Sequence, residues 1–315
     1  MGYNHAVMKK FASALFGTAL AVFCTAPAAR AWDKVGHMLV DQIAYDRLTP
    51  AAKNNVDSLL KTFNADPLVA GLDAQHQNYN AVTVGAFMDD IRGETKEFNT
   101  WHYVDLPDTE LTPAQIKAQF GDDAHPNVYE AITNKCLKTL GDPKQPQADR
   151  ARMFAFLCHL VGDIHQPMHA IDRDQGGNKY PIAELPLTDP TSTWHINNLH
   201  SFWDNAYRYD NVAGSITVIY DQPDLPRQMS PDVPILRSYS HGLVARYAPT
   251  SEQASDLDPA VWASESQKLA LEAAYPKEKV DHLSPEYVHA AHDVACQRMV
   301  LAGERLANLL NATFK

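Results

Sequence analysis

The chain has 315 residues, 45% of them hydrophobic, and its 38 acidic and 27 basic residues give a formal net charge of −11. An acidic surface does not attract nucleic acid by counterion release, and after the first 31 residues no segment is long and uncharged enough to span a membrane. The length fits one large domain or two small ones, and because nothing resembles a linker between separate cores, we expect one domain.

The amino-terminal segment has the pattern of a signal peptide. Lys9 and Lys10 precede an apolar run that is too short for a membrane span, and Ala29-Arg30-Ala31 is a small-x-small cleavage site. We therefore predict that residues 1–31 are a signal peptide and that residues 32–315 form a secreted or periplasmic protein without a membrane anchor. Its first residue would be Trp32, and its 24 basic and 38 acidic residues would give a net charge of −14.

Helical periodicity dominates the rest of the chain and predicts an all-α fold with long functional loops. Only residues 215–220 have strand character, and the stretch 181–193, rich in Pro, Thr and Asp, is predicted to be a surface loop. Gly141-Asp142-Pro143 and Pro167 are predicted to end helices. The predicted helices cover residues 35–48, 51–60, 128–140, 152–164, 198–207, 259–274 and 285–310.

Three cysteines remain after residue 31, namely Cys136, Cys158 and Cys296. An odd number cannot all pair, so at most one disulfide is possible. Cys158 lies in an apolar stretch and is expected to be a buried thiol rather than a metal ligand.

Histidine and aspartate recur in pairs at helical spacing. His159 and Asp163 lie four residues apart in an otherwise apolar helix, and His200 and Asp204 repeat this spacing between Leu, Phe and Trp. Both members of each pair project from one helix face. One such pair is usually a core salt bridge, but two pairs with His169 between them favour zinc, which binds neutral imidazole and carboxylate.

Further candidates precede these pairs. His37 lies five residues after Trp32, Asp89 and Asp90 follow Phe87-Met88, and His102 lies between Trp101 and Tyr103. Each is a weak signal by itself, because a lone histidine beside a tryptophan is more often packed than liganding. His165 lies only two residues after Asp163, so it points to another helix face and is predicted to be structural.

In these blocks the chain resembles the zinc-dependent S1/P1 single-strand nuclease family, which shares its fold with bacterial zinc phospholipase C. The resemblance covers essentially all of residues 32–315 and implies a single-domain, all-α fold with long loops around a cleft that holds three zinc ions. The matching blocks are Trp32-Asp33-Lys34-Val35-Gly36-His37, Trp101-His102-Tyr103, Phe156-Leu157-Cys158-His159, Gly162-Asp163-Ile164-His165-Gln166-Pro167-Met168-His169, Gly176-Gly177-Asn178, Asn198-Leu199-His200, Trp203-Asp204, Trp262-Ala263-Ser264-Glu265-Ser266 and Ala302-Gly303-Glu304-Arg305-Leu306-Ala307.

The resemblance implies a ligand set for each of the three zinc ions. These sets are Asp89, His102 and His159 for the first ion; Trp32, through its α-amine and carbonyl oxygen, and His37 for the second; and His169, His200 and Asp204 for the third. Asp163 would bridge the first two ions. The family usually has Trp-Ala before the ligand aspartate where this chain has Phe87-Met88, so Asp90 stays an alternative to Asp89, which we assign. The family's usual cysteine pairs are missing.

The implied reaction is hydrolysis of phosphodiester bonds in single-stranded DNA and RNA on the 3′-oxygen side, which leaves 5′-phosphates, with 3′-nucleotidase activity as well. Two neighbouring metals can share a hydroxide that is a nucleophile near neutral pH. Three zinc ions would also add six positive charges to one cleft of an acidic protein. No Gly-x-Ser-x-Gly motif points to a serine nucleophile.

Residues beside the ligands are candidates for catalysis and substrate contact. We assign catalytic roles to Asp89, Asp163 and Arg92, of which Arg92 is suited to bind a phosphate oxygen. Tyr103 is placed to stack on a base, or else packs around the site. The further substrate contacts proposed are Asp105, which could instead orient a ligand histidine, and Asn178.

Two other functions stay open at this point. One is a zinc phospholipase C that acts on phospholipid head groups with the same metals, and the other is a zinc-binding protein without turnover. The phospholipase usually has Glu where this chain has Asp204, and the complete ligand sets disfavour the second alternative. The nuclease would act on single-stranded DNA and RNA and on 3′-nucleotides, and we expect it to be a monomer.

Overall fold

The computed structural model describes residues 32–72, 78–185, 195–212, 214–218 and 234–315. The predicted signal peptide, residues 1–31, lies outside these ranges. Within them the fold is all-α, as predicted, with four short strands added to the helices.

Thirteen α-helices are found in the described ranges. They are α1 Lys34–Asp46, α2 Pro50–Phe63, α3 Pro67–Ala70, α4 Phe87–Asp90, α5 Pro113–Phe120, α6 Val128–Glu130, α7 Lys138–Gly141, α8 Gln147–His165, α9 Leu199–Trp203, α10 Pro234–Tyr247, α11 Ser251–Ser255, α12 Pro259–Leu269 and α13 Pro285–Thr313. The chain also forms π-helices at Ala131–Leu137 and Ala270–Ala274 and 3₁₀ turns at Thr83–Ala86, Ile91–Gly93, Asn99–His102, Pro167–Ala170 and Ala206–Arg208.

Local sequence explains where the main helices begin. The side chain of Asp33 accepts a hydrogen bond from the Gly36 backbone at the start of α1, and Thr49 and Ser284 cap α2 and α13 in the same way. In α2 and α13 a proline follows the cap, where its missing N–H costs no helical hydrogen bond. All seven predicted helical segments contain helix, although the segment 198–207 continues as a 3₁₀ turn after α9.

Helix α8 is the central element of the core. Its second half is buried on every side, from Phe154 to His165, and α1, α2, α12 and α13 all pack against it. A helix that is apolar all round must be enclosed by others. The His159 and Asp163 side chains therefore lie inside the protein rather than on its surface.

The predicted loop over residues 181–193 is wrong at its beginning. Residues Pro181–Leu185 form strand β1, which pairs antiparallel with β2, Ile196–Asn198, and residues 186–194 lie outside the described ranges. A five-residue strand at the edge of a helical core gives no periodicity that distinguishes it from a loop. The predicted strand is found as β4, Ser215–Val218, paired with β3, Tyr209–Val212.

The three cysteines of the described ranges are free and buried. Burial raises the pKa of the Cys158 thiol well above its usual range, as expected for a packed thiol rather than a ligand. In the same ranges, no helix combines the length and the apolar character that crossing a membrane requires.

Candidate metal centre

The fold brings eight of the nine predicted ligand residues into three groups of buried donor atoms. In each group, one donor atom per residue lies within 4.8 Å of the others. The groups are His37, His159 and Asp163; Asp89, His102 and His159; and His169, His200 and Asp204. Because His159 belongs to two groups, the first two groups lie side by side, next to the α8 residues His159 and Asp163.

Asp163 lies at the junction of the first two groups. Its Oδ2 atom is 2.9 Å from Nδ1 of His102 and 3.3 Å from Nε2 of His159, and those two nitrogens are 3.0 Å apart. Its Oδ1 atom is 3.4 Å from Nε2 of His37. The two oxygens of one carboxylate therefore face different imidazoles, which is the arrangement that a bridging ligand needs.

These separations fit zinc. Tetrahedral coordination with bonds of about 2.0 to 2.1 Å puts ligand atoms about 3.3 Å apart. The observed spacings around Asp163 lie between 2.9 and 3.4 Å, and Nε2 of His200 lies 3.2 Å from Nε2 of His169 and 3.6 Å from Oδ1 of Asp204. The nitrogens of His37, both oxygens of Asp89 and Oδ1 of Asp163 are buried without a hydrogen-bond partner among the described residues. Such atoms are costly unless a cation satisfies them.

Backbone carbonyls fix the orientation of three imidazoles. Nδ1 of His159 lies 2.5 Å from the Gly85 carbonyl, Nδ1 of His169 lies 2.5 Å from the His102 carbonyl, and Nδ1 of His200 lies 2.6 Å from the Gly176 carbonyl. A carbonyl only accepts hydrogen bonds, so each Nδ1 must carry the proton. Nε2 is therefore the nitrogen of each ring that faces its group and is left to bind a metal, and a hydrogen bond from Nδ1 to a carbonyl is the usual support of a metal-binding histidine.

His37 is held by close packing rather than by hydrogen bonds. Its ring stacks on that of His159 with centroids 3.8 Å apart, and a Cβ added to Gly162 would lie 2.7 Å from its Nδ1. Trp32, the remaining predicted ligand, is fully buried beside it, and its indole Nε1 donates to the Gly162 carbonyl at 3.0 Å. The structure thus places Trp32 next to His37 and next to the residue that precedes Asp163.

The third group depends on the Gly176-Gly177 turn. Both glycines have positive φ angles, +59° and +79°, and L-residues with a side chain rarely adopt this conformation. A Cβ on Gly176 would lie 2.6 Å from the Met168 carbonyl. On the other side of the group, Nε2 of Gln166 donates to Oδ1 of Asp204 at 2.7 Å and holds that carboxylate.

Asp89 and Asp90 have different surroundings. Asp90 makes an ion pair with Lys34 at 2.9 Å and accepts a hydrogen bond from the Tyr79 hydroxyl at 2.7 Å. Asp89 instead lies with His102 and His159 in the second group. Of the two neighbours, the structure therefore brings Asp89 to the histidines.

Burial controls the protonation of these groups in the metal-free chain. It lowers the pKa values of His37 and His102 well below their usual range, so both imidazoles are neutral, as metal binding requires. It raises the pKa of Asp163 to about 6 and that of Asp204 well above its usual range. A bound dication favours the ionised carboxylates, so these groups would release protons when a metal binds.

His165 lies apart from the three groups. Its Nδ1 faces the Val161 carbonyl at 2.8 Å, its Nε2 accepts a hydrogen bond from Arg305 at 3.0 Å, and its ring packs on Trp262. Arg305 and Arg298 also share the carboxylate of Glu265. His165 therefore belongs to a buried network that ties α8 to α12 and α13.

The proposed substrate residues have varied surroundings. Nε of Arg92 is 3.4 Å from Oδ1 of Asp89 and 3.3 Å from Nε2 of His102, so Arg92 borders the second group. Tyr103 is half-buried directly after His102. Partial desolvation by neighbouring protein atoms and the charge of Asp172 raise the pKa of Asp105 to about 6, although its side chain keeps contact with solvent. The Asn178 side chain donates to the Gln175 carbonyl at 2.8 Å and so stabilises the glycine turn.

Sequence reasoning missed the groups that hold the ligands. These are the carbonyls of Gly85 and Gly176, the amide of Gln166 and the surface of Gly162 against His37. Gly162, Gln166 and Gly176 stand in the blocks that match the family, but the sequence assigns none of them a role in holding a ligand. A carbonyl partner that lies 74 residues away from His159 leaves no pattern in the sequence.

Comparison with known proteins agrees with this geometry. The profile of the family described as S1/P1 Nuclease matches residues 32–315. Endonuclease 1 of Arabidopsis thaliana is 27% identical over 310 residues, which cover 93% of this chain and 90% of that protein. Endonuclease 2 of the same plant is 23% identical over 92% of each chain, and Nuclease P1 of Penicillium citrinum is 20% identical over 89% of this chain and 97% of its own.

Proposed function

This chain belongs to the S1/P1 nuclease family, and we propose that residues 32–315 form an exported endonuclease that uses three zinc ions to cleave single-stranded DNA and RNA. The products would carry 5′-phosphates, and 3′-nucleotides would also be substrates. Nuclease activity follows from the family and from the relatives named endonuclease and nuclease. Neither the zinc phospholipase C nor the non-catalytic zinc protein is favoured, because the family match covers residues 32–315.

One observation carries the proposal: three groups of buried His and Asp donors have the spacing of zinc ligands, and the first two groups contain buried atoms without a hydrogen bond among the described residues. Nδ1 of His102, Nε2 of His159 and Oδ2 of Asp163 lie 2.9 to 3.3 Å from one another, which matches the spacing of ligand atoms around one zinc ion. Asp89, His102 and His159 would hold one ion, Trp32 and His37 a second, and His169, His200 and Asp204 a third. Asp163 would be a ligand of both of the first two ions.

The protein's own contribution is orientation. Bound zinc would supply a nucleophile near neutral pH by lowering the pKa of a water molecule, and would stabilise the departing oxygen. Asp163 presents its two oxygens to the first two groups, and the Gly85, His102 and Gly176 carbonyls keep three imidazoles in one tautomer. Donor groups held in this way need little reorganisation during the reaction.

Arg92 and Tyr103 are the residues proposed to receive the nucleic acid. Arg92 borders the Asp89 group, where its guanidinium can bind a phosphate oxygen. The half-buried ring of Tyr103 is suited to stack on an unpaired base, a contact of about 1 to 3 kcal/mol that is tolerant of sequence. Bases in a duplex cannot stack on a side chain without being flipped out, so single strands should be preferred.

The charge balance supports a metal-centred site. The mature chain has a net charge of −14, which repels a polyanion over most of the surface. Dications in the cleft would reverse that field locally, because bound ions are often the largest charges in a site. We propose that the metal centre, rather than a basic surface, attracts the substrate to this monomeric protein.

The test is zinc content combined with a substrate panel on protein that begins at Trp32. Native mass spectrometry should find three zinc ions per monomer, and removal of zinc by a chelator should abolish cleavage and lower the unfolding temperature. Circular single-stranded DNA and RNA should be cut far faster than duplex DNA. A 3′-nucleotide should lose its phosphate, whereas a 5′-nucleotide should not.

Two results would overturn the assignment. A fully active protein that holds one metal ion or none would contradict the three-zinc centre. Release of phosphocholine from phosphatidylcholine vesicles without any cleavage of nucleic acid would indicate the phospholipase instead.

A further inference from the structure

The first two residues of the mature chain are tied to two ligand-bearing segments. The indole of Trp32 donates to the Gly162 carbonyl, next to Asp163, and the backbone N–H of Asp33 donates to the Asp204 carbonyl at 3.0 Å. Chain ends are poorly ordered in most proteins unless specific contacts hold them. An N-terminal amine can serve as a ligand only if the chain that carries it is held in one conformation.

The side chain of Asp33 makes further contacts that fix this chain. Its Oδ1 atom accepts hydrogen bonds from the Gly36 backbone at 2.9 Å and from the Tyr207 hydroxyl at 2.6 Å, and its Oδ2 atom pairs with Arg208. Nε of Arg208 also donates to the Tyr207 hydroxyl at 3.0 Å. Asp33, Tyr207 and Arg208 thus form a closed set of contacts, which we call the N-terminal clamp.

The clamp joins parts of the chain that are distant in sequence. Asp33 directly precedes α1, which carries His37, whereas Tyr207 and Arg208 follow α9, which carries His200 and is followed directly by Asp204. The Asp33 side chain is 23% exposed and that of Arg208 is 16% exposed, so water screens their ion pair only in part. Partly buried pairs are stronger than exposed ones and lose less to salt.

The clamp also controls a carboxylate that could disturb the centre. Asp33 is adjacent to the proposed Trp32 ligand, and carboxylate oxygens bind zinc well. Both oxygens of Asp33 are engaged by Gly36, Tyr207 and Arg208. While these contacts hold, Asp33 can neither replace a ligand nor pull the chain end out of place.

We propose that the N-terminal clamp is a positioning device that holds the main chain of Trp32 at the His37–Asp163 group, where its amine and carbonyl oxygen can bind zinc. This inference depends on the proposed function, in which Trp32 is a ligand. The clamp residues touch neither substrate nor metal in this scheme. They act by fixing the backbone conformation of Asp33, at φ −58° and ψ 169°, which sets the position of Trp32 before it.

Four proteins test the proposal. They are the unsubstituted chain and the Arg208→Met variant, each prepared in one form that begins at Trp32 and in another that begins one residue earlier, at Ala31. The extra residue converts the amine to an amide, which has no basic lone pair for zinc. Zinc affinity is measured by competition with a chromophoric chelator. The turnover number kcat is measured on single-stranded DNA. In the protein that begins at Trp32, Arg208→Met should weaken the binding of one of the three zinc ions, the one assigned to Trp32 and His37, about 10-fold, as other residues that orient ligands do, and lower kcat.

In the extended protein the same substitution should change zinc affinity less than about twofold, since the proposed ligand is already lost. Arg237→Met is the matched control, because Arg237 pairs with Asp46 at the opposite end of α1, at 2.9 Å. It should lower the unfolding temperature, though less than Arg208→Met does because the Arg237 side chain is 43% exposed, and it should leave zinc affinity unchanged. Arg208→Lys should restore part of the affinity, and Asp33→Asn, which can still cap α1, serves if Arg208→Met does not fold.

The outcomes separate the clamp from the ligand it serves. If the extension weakens zinc binding but Arg208→Met has equal effects in both backgrounds, the clamp is only structural and the proposal fails, while the proposed centre stands. If the extended protein keeps all three zinc ions at full affinity and an unchanged rate, the amine is not a ligand, and both the clamp and that part of the proposed centre are overturned.

Discussion

Nζ of Lys34 lies 2.9 Å from Oδ1 of Asp90, in an ion pair that turns Asp90 away from the histidines to which its neighbour Asp89 points. Two adjacent acids on one short helix thus have different tasks. Asp90, with Tyr79 as its second partner, connects α1 to α4. The carboxylate of Asp89 instead faces His102 and His159, with Nε of Arg92 3.4 Å from its Oδ1.

The first prediction compares the two acids. Asp89→Asn should lower kcat more than about 100-fold and reduce the zinc content, because even residues that only orient ligands are worth 10- to 100-fold. Asp90→Asn should keep the zinc content and most of the activity, and lose about 1 to 2 kcal/mol of unfolding free energy with its ion pair. Metal analysis, kinetics and urea unfolding measure the two effects. The reverse pattern would make Asp90 the ligand.

The second prediction concerns Asp163 and His165, two residues apart on α8. Asp163→Asn should abolish activity with loss of zinc, because an amide cannot supply two anionic oxygens to neighbouring ions. His165→Ala should bind three zinc ions and stay active at moderate temperature, but unfold earlier, because Arg305 loses one of its hydrogen-bond partners and Trp262 loses the ring that packs on it. Equal losses of rate at unchanged zinc content would contradict this ranking.

The third prediction is a pH dependence of substrate binding. Partial desolvation and the charge of Asp172 raise the pKa of Asp105 to about 6, so this side chain is neutral below that pH and a carboxylate above it. If the carboxylate accepts a hydrogen bond from a base, KM for single-stranded DNA should fall as the pH rises through about 6. In Asp105→Asn this change of KM should disappear. A KM profile that is unchanged by the substitution would exclude Asp105 as the titrating contact.

The sequence was sufficient to predict the pairs of ligand residues that lie four positions apart in a helical segment. The spacing of His159 and Asp163 on α8 and of His200 and Asp204 near α9 follows from helical periodicity, and the structure brings each pair together. Asp90 could not be separated from Asp89, because its partners Lys34 and Tyr79 come from other elements. Strand β1 was mistaken for a loop for a similar reason, since its pairing with β2 is a tertiary contact.

The last prediction concerns Gly162, whose missing side chain makes room for His37. A Cβ at this position would lie 2.7 Å from Nδ1 and 3.0 Å from Cε1 of His37. His37 cannot yield, because it is fully buried and stacked on His159 at 3.8 Å. Gly162→Ala should therefore weaken zinc binding at the Trp32–His37 position by about 10-fold or more, as loss of ligand orientation does elsewhere. Alanine is the better helix former by about 1 kcal/mol, which offsets only part of the about 1 to 3 kcal/mol that overpacking of a buried site costs, so the metal-free protein should lose at most about 2 kcal/mol of unfolding free energy. The control is Gly242→Ala in α10, where a Cβ meets no atom within 4 Å: it should raise stability and leave zinc binding unchanged. Calorimetric zinc titration and thermal unfolding of both variants measure this, and a Gly162→Ala protein with three tightly bound zinc ions and full activity would show that His37 does not depend on that space.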